Sequence, residues 1–247
     1  MNNSVGNTVR LIGAGLRALL VLTVICGVIY PLAVTGIAQA VFNDKANGSE
    51  IRDKSGQVVG SSLIGQTYNL PKQNPDDAHP KQNPDDAQEA AKPDLKWFQP
   101  RPSNGLGSNS VNTQYSLILS GATNRSADNG AVNGKCTDQA EEGTLCAQVI
   151  AAKDAVIADN TTASHTVKPQ DVPADAVTSS GSGLDPDISP EYAKLQIHRV
   201  AEQNRLDVKQ VEKLVADHTT GRTLGFMGEP RVNVLELNTA LKALTKS

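Results

Sequence analysis

The sequence predicts an α+β protein in which one N-terminal transmembrane helix precedes a single extracytoplasmic α/β domain with a helical carboxy-terminal part. Three observations carry this reading. Residues 18–42, ALLVLTVICGVIYPLAVTGIAQAVF, contain no Asp, Glu, Lys, Arg or His. Residues 49–66, SEIRDKSGQVVGSSLIGQ, read as a hairpin. In the last third, Ser189, Asp207 and Asn233 each stand where an N-cap belongs, directly before a helical pattern.

The uncharged stretch is long enough to cross a bilayer. Its 25 residues, at about 1.5 Å each, span roughly 37 Å, against a hydrocarbon core of about 30 Å. A soluble helix would keep a polar face, yet only Thr23, Thr35 and Gln39 interrupt the apolar residues here. Pro31 removes one backbone donor, which a span tolerates when neighbouring helices satisfy the freed carbonyl. Gly27, Pro31, Thr35 and Gly36 are the candidates for close helix packing, because small residues let backbones approach. A cleaved signal peptide is the rival: Arg10 and Arg17 form a basic leader and Ala38-Gln39-Ala40 resembles a cleavage site. Signal-peptide cores are about 7–15 residues long, so this segment favours an uncleaved anchor.

The expected organisation is a cytoplasmic tail (1–17), the span (18–42), and a domain from 43 to 247. Charge alone barely orients it, since Arg10 and Arg17 precede the span while Lys45, Arg52 and Lys54 follow it. The tail is short and long domains translocate largely regardless of charge, which places the tail inside and the domain outside. A net charge of -3 gives no basic balance that would point to nucleic acid. Cys136 and Cys146 lie in a polar segment; two free thiols or a disulfide both fit, and an oxidising compartment favours the bond. Cys26 lies within the span and faces lipid or packs as a small hydrophobe.

Within the hairpin, Lys54-Ser55-Gly56 turns between Ile51 and the pair Val58, Val59. PKQNPDDAH from Pro71 and PKQNPDDAQ from Pro80 then form a tandem repeat with no apolar face, read as an extended surface insertion at 71–92. Its Asp pairs lack the Gly and closing Glu of a cation loop. Residues 95–103, LKWFQPRPS, hold the one aromatic concentration and are expected to be a strand whose rings fill the core. Residues 109–124 pass from polar to briefly apolar to a turn, and a second insertion covers 126–146. Helical spacing resumes at 145–158 with Val149, Ile150, Ala155, Val156 and Ile157.

Three helices are expected to close the domain. Ser189 caps the first, with Pro190 at its first position and Glu191 favoured by the helix dipole, running to about Asn204. Asp207 and Gln210 form a capping box for the second, which Gly221 stops. After a Gly-rich connector at 223–230, Asn233 caps the third, with Val234, Leu237, Leu241 and Leu244 on one side.

The catalytic inventory is poor. His79, His165, His198 and His218 lack zinc-site spacing, and there is no HExxH or CxxC. Ser182 lacks the strand–turn–helix setting of a nucleophile elbow, and no GxxxxGK[ST] phosphate loop occurs. The chain is expected to be no enzyme on its own, with no metal and no catalytic residue.

Several segments resemble one family. They are YPLAVTGIAQAVF (30–42), ANGS (46–49), GSSLIGQ (60–66), WFQPRPS (97–103) and, above all, TSSGSGLDPDIS (178–189) and HTTGRTLGFMGEPRVNVLELN (218–238). Together they resemble KdpC, the small C subunit of the bacterial high-affinity potassium-transporting P-type ATPase, over most of residues 18–245. The resemblance implies a single-pass accessory subunit of the bacterial cell membrane, bathed in lipid and joined to a potassium-translocating subunit and an ATP-hydrolysing subunit. It also implies a catalytic chaperone that raises the affinity of the pump for ATP, with no cofactor held stably and ATP met only within the complex. A domain outside cannot touch cytoplasmic ATP, so such an effect would pass through the span as a coupling free energy. Gly181, Gly183, Asp185, Pro186 and Ser189 are expected to shape one loop. Arg222, Glu229 and Arg231 either contact partners or hold that loop, and ordinary packing roles explain all eight equally well. Asp187 departs from the family, which usually shows His there; a carboxylate is negative near neutral pH where an imidazole can donate or be cationic. The second reading is a membrane-anchored exported binding or envelope protein unrelated to ion transport.

Overall fold

A computed structural model describes residues 3–70, 92–103, 130–131, 136–137, 139–141 and 143–245. The tandem repeat and residues 104–129, with much of the second insertion, lie outside the described residues. The chain divides into two compact units, Met1–Glu50 and Ile51–Ser247.

The first unit is a helical rod. Helix α1 (Asn3–Val24) runs through a π-helical turn (Ile25–Ile29) into α2 (Tyr30–Val41). The helix starts well before the uncharged stretch, because no proline interrupts residues 3–17. The π turn has an identifiable cause. A proline ring at position 31 collides with the carbonyl four residues back, that of Gly27, and a widened turn there relieves the clash. Gly6–Val41 is long and apolar enough to cross a membrane, and none of it is buried within the protein. Beyond it, α3 (Asn43–Ala46) carries a ladder of carboxamides in which Asn47 Nδ2 donates to Gln39 Oε1 at 3.3 Å and Asn43 Oδ1 at 3.2 Å.

The second unit opens with the expected hairpin, strands β1 (Glu50–Arg52) and β2 (Val58–Ser61). Its turn is set by Asp53, whose carboxylate accepts the amides of Ser55 at 2.9 Å and Gln57 at 3.1 Å, while Gly56 takes a φ of +83°. The chain leaves at Leu70 and returns at Lys92 at one place: the Leu70 amide donates to the Lys92 carbonyl and the Asp94 amide to the Tyr68 carbonyl, both at 2.9 Å.

Residues 95–103 are not a strand. Pro100 and Pro102 remove two of the donors a ladder would need, and side chains replace the missing partner strand. Asn238 accepts from the Phe98 amide and donates to its carbonyl, each at 2.9 Å; Gln196 does the same for Gln99, at 2.7 and 3.1 Å. The expectation that the rings fill the core holds for Phe98, which is wholly buried, while Trp97 packs at its margin.

Helix α4 (Leu145–Asn160) is capped by Thr144, whose hydroxyl accepts the Ala147 amide at 3.3 Å. Its buried residues are Cys146, Val156 and Asn160; Ala155 faces solvent. Cys146 is joined to Cys136 by a disulfide with the Cα atoms 5.0 Å apart. A 3₁₀ turn (Pro169–Asp171) and the short α5 (Ala174–Val177) follow.

The first closing helix is in fact two, α6 (Pro190–Leu195) and α7 (Ile197–Asn204), separated at Gln196. The fully buried Gln196 side chain is committed to residue 99, so the break serves the core. Helix α8 (Val208–Asp217) has the Asp207–Gln210 capping box but stops before Gly221, with His218 as its C-cap. The chain is already extended at β4 (Thr219–Thr220), which pairs antiparallel with β5 (Arg231–Asn233). The supposed connector is therefore the tip of a β-hairpin. Strand β5 also pairs with β3 (Asp187–Ile188), giving an antiparallel sheet β3-β5-β4 with Ile188 opposite Val232 and Asp187 opposite Asn233. Asn233 caps α9 (Val234–Thr245), its Oδ1 accepting the Glu236 amide at 3.2 Å. Val232, Val200, Val211, Leu237 and Leu241 are wholly buried, so the core lies between this sheet and α6–α9.

Candidate interaction site

Two polar assemblies and one apolar projection stand out in the second unit. The first assembly is the loop 178–189. Gly183 adopts a φ of +71° and its amide donates to the Ser180 hydroxyl at 3.1 Å; Gly181 has no such φ, and a Cβ there would meet nothing within 4 Å. Asp185 pairs with Arg101 at 3.1 Å and accepts the Asp187 amide at 3.0 Å. The Pro186 carbonyl accepts the Val234 amide at 3.0 Å, and the Leu184 carbonyl that of Gly65 at 2.9 Å. Ser189 caps α6 through the Tyr192 amide at 3.0 Å while its own hydroxyl donates to Asp175 at 2.8 Å. Asp187 pairs with Arg231 at 3.0 Å and accepts from Asn233 at 3.3 Å. Burial still pushes the Asp187 carboxyl up from its ordinary value, because desolvation outweighs the half-exposed Arg231.

Of the eight candidate loop and contact residues, the structure thus gathers Gly181, Gly183, Asp185, Pro186, Ser189 and Arg231 around one loop. Arg222 and Glu229 lie elsewhere, paired at 2.9 Å across the β4–β5 hairpin. Between them Leu224, Phe226 and Met227 project into solvent, 80%, 72% and 51% exposed.

The second assembly is buried and was missed from sequence. Arg199, 1% exposed, donates to Asn160 Oδ1 at 2.8 Å, Gln196 Oε1 at 2.6 Å, and the carbonyls of Trp97 at 3.0 Å and Leu95. Burial lowers its guanidinium to about 10, so it remains a cation at neutral pH. The available signal was Gln196 and Arg199, one helical turn apart, on a face shared with Tyr192 and Ala193.

His165 stacks on His198 with centroids 4.0 Å apart. Among the described residues no three His, Cys, Asp or Glu gather to hold a metal. Desolvation first, and His165 second, hold His198 below its usual 6.5, against Glu212. The folded chain thus takes that proton at lower pH than the unfolded chain, and this contribution to stability is complete above 6.5 and lost as pH falls through the folded value. Thermal unfolding followed from about pH 7.5 to about pH 5 is expected to show a falling midpoint that His198→Gln flattens; an unchanged slope in the variant would refute the assignment.

Among the described residues, one apolar helix long enough to cross a membrane precedes a compact unit with an internally tied polar loop and a projecting apolar hairpin, which fits the class of single-pass membrane proteins. The family model described as KdpC, K+-transporting ATPase, c chain, matches residues 12–243. The chain is 66% identical over 244 residues to the potassium-transporting ATPase KdpC subunit of Streptomyces avermitilis, covering 99% of this chain and 98% of that one. It is 59% identical to the subunit of the same name from Streptomyces coelicolor, over 99% and 97% of the two chains. With that of Citrifermentans bemidjiense it shares 40% identity over 93% and 95%. The chain belongs to the KdpC family, the c chains of K+-transporting ATPases.

Proposed function

We propose that the chain stabilises the assembly of a high-affinity potassium uptake pump, holding the potassium-translocating and ATP-hydrolysing subunits together and capping the ion entrance from outside. The observation that carries this reading is family membership over nearly the whole chain. The tail (1–17) lies in the cytoplasm and the domain beyond the span (18–42) lies outside the bacterial cell membrane. The Cys136–Cys146 disulfide supports that side, since cytoplasmic thiols are kept reduced. Gly27, Pro31, Thr35 and Gly36 pack the span against partner helices, the π turn beside Pro31 adding a local bulge to that surface. Raising the affinity of the hydrolytic subunit for ATP belongs to the same reading. ATP then meets only the pump complex, and the effect crosses the membrane as a coupling free energy between the subunits.

The test is mild-detergent recovery of the tagged chain from potassium-starved membranes, with ATPase activity measured with and without potassium. The expected result is recovery of two large membrane subunits with potassium-stimulated hydrolysis. Recovery of this chain alone, under conditions that preserve other membrane complexes, would overturn the reading.

A further inference from the structure

The β4–β5 hairpin tip is built to present apolar side chains rather than to bury them. Its backbone is set in advance: the Thr223 amide donates to the Met227 carbonyl at 2.8 Å and the Met227 amide to the Thr223 carbonyl at 2.9 Å, with the Arg222–Glu229 pair closing the neck. Leu224 sits at a φ of +55°, in the left-handed region where a residue with a side chain is strained. A glycine would relieve that strain, as Gly225 and Gly228 do at their own positive φ. Yet Leu224 gives nothing to its own core, being 80% exposed, and Phe226 beside it is 72% exposed. A strained backbone position holding a solvated leucine next to a solvated phenylalanine has its physical reason outside this chain.

We infer that Leu224, Phe226 and Met227 form an anchor that inserts into an apolar pocket on the outer face of a partner membrane subunit. This rests on the assembly function proposed above and names the element that makes the contact. Charge selects a protein over a lipid surface. The two cations of the hairpin are both neutralised, Arg222 by Glu229 and Arg231 by Asp187, so the tip offers no net positive charge to anionic headgroups. Size selects a membrane partner over a second copy. Three side chains present a few hundred Å² at most, well short of the roughly 800 Å² per partner of a stable free-standing interface. So small an anchor needs a partner held close by other contacts, which a shared bilayer and a packed span supply. Because its backbone is ordered before binding, little entropy is lost on docking.

The experiment uses the full chain co-expressed with the two large pump subunits. A benzophenone amino acid replaces Phe226 in one sample and Lys209, an exposed residue of α8, in another. Irradiation is expected to join the chain to one large subunit from position 226 and not from 209. The double variant Leu224→Ser, Phe226→Ser is expected to lower recovery of the large subunits at least about tenfold, with an unchanged melting temperature because neither side chain is in the core. Cross-linking only to lipid or to a second copy, no cross-link at all, or full recovery by the double variant would overturn the anchor and leave the assembly function standing. Failure of the wild-type chain to recover any large subunit would sink both.

Discussion

Arg199→Met is expected to cost the second unit about 3–5 kcal/mol of stability, the range for removing one partner of a buried charged network. The loss has little to do with volume, because Met fills much of the same space. It comes from the oxygens left behind. Asn160 Oδ1, Gln196 Oε1 and the carbonyls of Leu95 and Trp97 all lose a donor in a region closed to water. Lysine does not rescue, since one ammonium cannot reach four acceptors spread over three elements as a planar fork does. Denaturant unfolding of the detergent-solubilised full chain, followed by tryptophan fluorescence at Trp97, measures the effect; a loss below about 1 kcal/mol would show that water or a rearranged Gln196 takes over.

Phe98→Ala is expected to cost a similar amount, about 3–5 kcal/mol. Phe98 is wholly buried, and both its backbone groups are held by Asn238, itself 2% exposed. These clamps stop the 95–103 segment from collapsing into the cavity, so the cost falls toward the upper part of the range. Phe98→Leu refills most of the space and is expected to lose no more than about 1.5 kcal/mol. The same unfolding measurement decides it, and equal losses for Ala and Leu would show that the backbone clamp, not the ring, supports the core.

The first prediction, and the clamp on which the second relies, rest on polar residues that sequence reading did not single out, and the reason is physical. Gln196, Arg199, Asn160 and Asn238 are polar, so a pattern reading places them on solvated faces; the approach of residues 95–99, more than ninety positions distant in sequence, makes Gln196, Arg199 and Asn238 core, and Arg199 in turn engages Asn160. The same missing information turned residues 95–103 into an expected strand. Their aromatics and extended backbone are strand-like, but their hydrogen-bond partners are side chains, which no local pattern announces. The connector at 223–230 was misjudged for a related reason. Strands of two and three residues, Thr219–Thr220 and Arg231–Asn233, are too short for alternation and exist only because they pair with each other and with β3.

What the sequence by itself determined are the features whose physics is local or compositional. An uncharged run long enough for a bilayer needs no tertiary partner to be read. Nor do the caps at Ser189, Asp207 and Asn233, whose side chains satisfy amides within three residues, or the turn at Lys54-Ser55-Gly56. The motifs at 178–189 and 218–238 carried the family. Tertiary structure decided which of those motif residues serve the fold and which face outward. Asp185, Ser189 and Arg231 are taken up by Arg101, Asp175 and Asp187, whereas Leu224 and Phe226 are held away from every core. That difference depends on where distant segments meet, because a side chain's hydrophobic gain or lost hydrogen bond is fixed by its surroundings and not by its neighbours in the chain.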